Sequence, residues 1–240
     1  MSDGGAAELG LDRKRPSWLS YALILFQKDL RIELRSGEAL VTSGFFAVVV
    51  VILSSLSFYA GAETRRQVAS GVVWLAIAFA SVLALGRLWQ RERDDGALEG
   101  VLLSPVPRSA LFAGKALGLL TFLFLIEAVV IPLTAVLFSL DLGAFGLGLF
   151  VIAVTATPGL AAASTLFGAM TARTRARDLV LAIVLFPLLS PTLLAATVAT
   201  RELLGGSSLH ELGDYLKIIG VFDVAFAAGG LGLFETLLDG

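Results

Sequence analysis

LVTSGFFAVVVVILSSLSFYA, residues 40–60, contains no Asp, Glu, Lys, Arg or His and is held between Glu38 and Glu63. A helix rises 1.5 Å per residue, so about 20 predominantly apolar residues cross ~30 Å of hydrocarbon. The stretch therefore predicts a membrane-spanning helix, and the same criterion finds five more windows. Residues 68–86 lie between Arg66 and Arg87, and residues 116–140 are interrupted only by Glu127 and stop at Asp141. Windows 142–171, 179–200 and 218–238 follow, the last with Asp223 and Glu235 inside it. The expected fold is an all-α membrane protein of six spans. Window 142–171 is longer than one crossing requires and contains Pro158, which leaves open a pair of short re-entrant pieces.

Composition agrees with this reading. The 240 residues are 57% hydrophobic with mean hydropathy +0.87, whereas a soluble domain is roughly 45–50% apolar. Charged residues make up 16% and are crowded into a few short segments, so the formal net charge of -2 singles out no partner. No nucleic-acid partner is expected. The chain has no cysteine, which excludes disulfides, zinc-thiolate sites, iron–sulfur ligation and covalent haem attachment by this chain. The first residues are small and acidic and lead into Arg13, Lys14, Arg15 and Pro16 without an apolar core. Residues 1–16 are accordingly expected to form a flexible tail, with no cleaved signal peptide.

Orientation follows from the cations, because Lys and Arg loops remain cytoplasmic. Fourteen of the 18 Lys and Arg fall in the N-terminal segment and in the second and fourth connections; the opposite face has Arg65, Arg66, Arg201 and Lys217. Both termini are expected in the cytoplasm. Ahead of the first span, Trp18, Tyr21, Ala22, Leu25 and Phe26 repeat at three- and four-residue steps, followed by Lys28, Asp29, Arg31, Glu33 and Arg35. This predicts an amphipathic helix over 17–36 lying in the cytoplasmic interface as an anchor, apolar side in the acyl boundary.

The connection 87–115 is longer and more charged than the others. It contains Arg91, Glu92, Arg93, Asp94 and Asp95, and its Asp95-Gly96 pair signals a turn. Leu98, Val101 and Leu102 then repeat at helical spacing around Glu99 until Pro105 and Pro107 stop the helix. The short amphipathic helix so predicted has an apolar stripe that a grooved soluble partner, or its own bundle, could cover.

The run from Trp89 to Arg108, with Gly114-Lys115 after it, resembles the haem exporter protein B family (CcmB) of cytochrome c maturation. The likeness continues in Gly71-Val72-Val73-Trp74, Thr157-Pro158-Gly159-Leu160, Thr165-Leu166-Phe167, the Pro187 to Pro191 segment, Asp223 and Phe234-Glu235, and covers nearly everything from about Phe26 onward. The resemblance implies a permease of the ABC-2-type exporter class in a bacterial inner membrane, with a coupling helix docked on a separate ATPase subunit (CcmA-like). The coupling residues carried over are Arg91, Glu92, Arg93, Asp94, Asp95, Gly96, Leu98, Glu99, Leu102, Ser104, Pro105 and Pro107. It further implies a haem-handling membrane protein (CcmC-like), a small helical subunit (CcmD-like) and a haem chaperone (CcmE-like), whose haem-loaded form is released at the expense of ATP. This chain would bind no cofactor itself; ATP sits on the partner and haem is handled by the complex. A permease for lipid, drug or polysaccharide, or a non-transporting scaffold, are the alternatives.

The residues alone add that the chain lacks an engine, since no G-x-x-x-x-G-K-[ST] occurs. A second membrane half is expected, by homodimerisation or pairing with another permease. Glu127, eleven residues past Ala116 and hence ~16 Å along its helix, should lie near mid-bilayer. There an acid costs roughly 2.5–3.5 kcal/mol, so it should face the bundle interior, paired or protonated, as a gating residue or as a structural hydrogen bond. Asp223 is expected about five residues inside the outer end of its span, within reach of water. Pro132, Pro158, Pro187 and Pro191 each remove a donor within a span and are expected to bend it, as fixed shape or as hinges. His210 is the only histidine and stands beside Glu211 in an outer connection, so no haem or metal ligand set is legible.

Overall fold

The computed structural model describes residues 16–58, 61–94, 100, 103–171 and 177–239, and among them the secondary structure is entirely helical. Seven helices are defined within the described residues: α1 Trp18–Ser36, α2 Glu38–Ser57, α3 Ala62–Asp94, α4 Arg108–Phe138, α5 Leu142–Thr171, α6 Arg177–Leu204 and α7 Gly213–Asp239. The last six are each long and apolar enough to cross a membrane, as the six windows predict. Helix α5 is continuous through Pro158, so the re-entrant alternative falls away.

Local chemistry sets the helix ends. The Ser17 side chain accepts the Ser20 N–H at 3.3 Å and caps α1. Gly37, left-handed at φ 64°, ends α1 and opens α2 in a single residue, a conformation that costs glycine nothing. The Glu33 carboxylate then accepts the Leu40 N–H at 2.7 Å, satisfying one of the orphan donors of α2. On the opposite side Asp141 Oδ1 accepts the Gly143 and Ala144 N–H groups at 2.8 and 3.3 Å and caps α5.

Lipid tails are as apolar as leucine, so burial from water does not drive these helices together; close packing and interhelical hydrogen bonds do. Helix α5 is the centre, in contact with α3, α4, α6 and α7. Its buried face is rich in small residues, Ala156, Ala161, Ala163 and Ser164 among them. Gly168 lies against the Trp89 ring and, on α7, Gly230 lies against Phe112; a Cβ at either would overlap the aromatic. Trp74 Nε1 donates to Thr200 Oγ1 at 2.9 Å and ties α3 to α6.

Two boundaries and one packing arrangement add to the sequence reading. The stretch 87–115 is helical at both ends, because α3 continues to Asp94 and α4 already starts at Arg108. Helix α7 begins at Gly213, five residues before the apolar window. Finally, α1 packs on α4, and the stripe it buries is Ala22, Leu25, Asp29 and Glu33. Trp18, Leu19, Leu23 and Ile24 are exposed. The buried face of α1 therefore ends in two acids directed at the protein, which a plain interfacial anchor does not require.

Candidate functional site

Two regions collect the polar groups of the bundle. The first is the connection between α3 and α4. Helix α3 buries Trp89 and continues to Asp94, so Arg91, Glu92, Arg93 and Asp94 occupy its last turn. Asp95, Gly96, Leu98, Glu99 and Leu102 lie outside the described residues. The chain is described again at Leu103, 90% exposed, with Pro105 and Pro107 exposed and Ser104 half-buried. Pro107, extended at ψ 131°, is the N-cap of α4. Immediately past it, Trp18 Nε1 of α1 donates to Ser109 Oγ at 2.9 Å, and Lys115 Nζ stands 2.8 Å from Asp29 Oδ2.

The second region lies inside the membrane, where α4, α5 and α7 meet. Glu127 is 2% exposed, and Thr157 of α5 donates its hydroxyl to Glu127 Oε1 at 2.5 Å. Glu127 Oε2 is buried with no hydrogen-bond partner. Pro158, next to Thr157, has no N–H, so the Val154 carbonyl lacks its intrahelical donor. One residue further, Gly159 faces Asp223 of α7, and a Cβ there would overlap the Asp223 carboxylate. Asp223 Oδ1 is likewise buried without a partner. Ten residues separate Asp223 from the start of α7, hence ~15 Å of rise along the helix, and its contact with Gly159 sets it within a turn of α5 from the Thr157–Glu127 pair.

Positions two apart on a helix point about 200° from each other. Thr157 and Gly159 therefore offer opposite sides of α5, and the Thr157-Pro158-Gly159 turn is bracketed by one carboxylate on α4 and another on α7. Of the predicted intramembrane residues, the fold brings together Glu127, Pro158 and Asp223. Pro132 stands one turn from Glu127, in the wall of a cavity of about 440 Å³ between α4 and α5 that is otherwise lined by apolar groups such as Phe124, Ile131 and Phe150. Pro187 and Pro191 lie apart from this cluster on α6, where Ser190 Oγ donates to the Pro187 carbonyl at 2.6 Å. The described residues hold no group of three potential metal ligands. The arrangement suits a conformational role, because a helix turn already short of one backbone bond is held from two sides by carboxylates with spare acceptors. Sequence reasoning missed Asp29, Lys115 and Thr157 as site residues. The available signal was a lysine just outside an apolar window, an acid on an apolar helix face, and a hydroxyl preceding an intramembrane proline.

The family model described as CcmB protein matches residues 20–231. Heme exporter protein B of Rhodobacter capsulatus is 32% identical over 180 residues, 74% of this chain and 81% of the relative. Heme exporter protein B of Bradyrhizobium diazoefficiens is 26% identical over 182 residues, 76% of this chain and 82% of the relative. Heme exporter protein B of Haemophilus influenzae is 28% identical over 205 residues, 84% and 90% respectively.

Proposed function

From the premise that the chain belongs to the CcmB protein family, we propose that it is the membrane permease of an ATP-driven complex that handles haem in cytochrome c maturation. Hydrolysis takes place on a separate ATPase subunit, and its energy serves release of a haem-loaded periplasmic chaperone. The carrying observation is family membership joined to the extension of α3 and α4 by charged turns on either side of residues 95–107, next to the 90% exposed Leu103. Leu103 offers an apolar side chain at this end of the bundle for a groove on a soluble partner to take up.

In this reading Arg91 to Asp95, Gly96, Leu98, Glu99, Leu102, Ser104, Pro105 and Pro107 form the ATPase-coupling element. In the same reading that face and both termini lie in the cytoplasm of a bacterial inner membrane, which the excess of Lys and Arg on that side supports. ATP belongs to the partner. Haem is cargo of the complex: the single histidine, His210, is in the α6–α7 connection and Met170 is at the opposite end of the bundle, so the two cannot ligate one iron. A haem-handling membrane protein, a small helical subunit and a second permease half complete the assembly.

The test is co-purification with the cognate ATPase, followed by ATP hydrolysis and chaperone release in reconstituted membranes. Leu98→Asp combined with Leu102→Asp is expected to abolish co-purification and both outputs. Retained association would overturn the coupling assignment; ATP-driven movement of lipid or drug without chaperone release would overturn the haem assignment.

A further inference from the structure

Helices α1 and α4 are fastened along their length. Trp18 meets Ser109, Ala22 and Leu25 meet Gly114, and Asp29 meets Lys115 and Gly118, so the two helices run side by side in the same direction. The approach is closest at Gly114, where a Cβ would stand 2.8 Å from the Ala22 carbonyl oxygen and from Leu25 Cβ. Beyond it, the side chains of Asp29 and Lys115 are each only 5% exposed, with 2.8 Å between Oδ2 and Nζ. Lys28 Nζ stands 3.3 Å from the other oxygen, Asp29 Oδ1, but Lys28 belongs to α1 itself, so the Lys115 contact is the one of the two that joins α1 to α4.

This fastening joins parts that the chain order keeps apart. Lys115 is two turns past the start of α4 and directly downstream of residues 95–107, whereas Asp29 belongs to the helix that precedes the first span. Although α1 runs straight into α2, it touches α2 far less than it touches α4. The join is the single residue Gly37, left-handed at φ 64°. Such a residue absorbs a change in backbone angle more easily than any neighbour.

We propose that Asp29 and Lys115 are a latch that makes α1 and the cytoplasmic end of α4 one lever, so that a push on residues 95–107 reaches α2 through α1 and the Gly37 hinge. They are positioning residues, acting through the helices they join. The proposal rests on the coupling reading above. On this view the helix ahead of the first span is a transmission element in addition to a membrane anchor.

Because the chain has no cysteine, spin labels can be placed singly at Ile24→Cys on α1 and Leu56→Cys at the far end of α2, both exposed. The distance between them is measured in the full complex in membranes, nucleotide-free and with ATP plus vanadate. A nucleotide-dependent shift of at least ~2 Å is expected, the size of helix movements in switching proteins. Asp29→Asn is expected to remove the shift while the ATPase stays bound, and Asp29→Lys with Lys115→Asp is expected to restore it. No shift in the otherwise unaltered chain, or a full shift in Asp29→Asn, overturns the latch and leaves the coupling reading standing. If Asp29→Asn fails to assemble, Gly37→Ala, which touches neither charge, should reduce the shift by at least half; an undiminished shift overturns the proposal. If the ATPase never associates with the unaltered chain, the coupling reading falls and the latch falls with it.

Discussion

The Glu127–Thr157 contact makes a quantitative prediction about what the buried acid is for. Thr157 is fully buried and Glu127 is 2% exposed, and their bond joins Thr157 Oγ1 to Glu127 Oε1 at 2.5 Å. Thr157→Val keeps the shape of the side chain and leaves both Glu127 oxygens without a partner. Orphaning a buried acceptor costs about 1–3 kcal/mol, and interhelical hydrogen bonds in membranes are worth ~0.6 on average and ~1.7 at most. A loss of about 1–2 kcal/mol is expected. Glu127→Leu acts differently: it removes an acid whose second oxygen is already unpartnered, while the Thr157 hydroxyl can turn back to the carbonyl four residues earlier. An acidic residue at mid-bilayer costs on the order of 2.5–3.5 kcal/mol, so this variant should be neutral or stabilised by about 1 kcal/mol.

The double variant Glu127→Leu with Thr157→Val should match Glu127→Leu alone, because the cost of Thr157→Val exists only while the acid is there to be orphaned. Reversible unfolding of the purified protein in mixed micelles, titrated with a denaturing detergent, measures all four corners of the cycle. An interaction of about 1–2 kcal/mol, the whole cost of Thr157→Val, is expected between the two sites. If Thr157→Val costs the same in both backgrounds, its cost does not come from orphaning the acid, and if Glu127→Leu loses more than ~2 kcal/mol, the acid is a structural strut; either result refutes the reasoning. If the cycle closes as expected, Glu127 is retained at a cost to the fold, and Glu127→Leu should assemble normally while chaperone release in the reconstituted complex falls at least tenfold.

The other predictions concern close approach, backbone strain and topology. Gly159→Val should weaken α5–α7 packing by about 1–3 kcal/mol through overlap with Asp223, and Asp223→Ala in the same chain should return most of it, read by the same unfolding assay. Gly37→Ala places a Cβ at φ 64° and should cost about 1–2 kcal/mol, whereas the same change at Gly220, which no atom crowds and whose φ is ordinary, should cost nothing. Ser104→Cys should resist a membrane-impermeant maleimide added outside intact cells, while Ser207→Cys between α6 and α7 should react; the reverse pattern would invert the orientation drawn from the cations.

The six crossings were legible in the sequence because hydrocarbon tolerates no run of unpaired charge, so each apolar window is bounded by the residues that cannot enter. The ends of the helices were not legible for the same reason, since a charge marks where the hydrocarbon stops and says nothing about where the helix does. Helix α7 shows the difference: it begins at Gly213, five residues before the apolar window, with Asp214 and Lys217 paired at 2.9 Å in its first turns, where the charges alone mark a connection. Lys115 and Asp29 escaped for a related reason, because each looks like an ordinary membrane-edge charge until the fold brings them within 2.8 Å of each other. Glu127 is buried inside the bundle, but its partner Thr157 lies 30 residues away, and any of several neighbouring helices could have supplied the donor. Depth in the bilayer is a property of one helix and can be counted along it. Partnership depends on how helices rotate against one another, which here is decided by small residues such as Gly114, Gly159 and Gly168, whose missing side chains let the helices approach closely at those points.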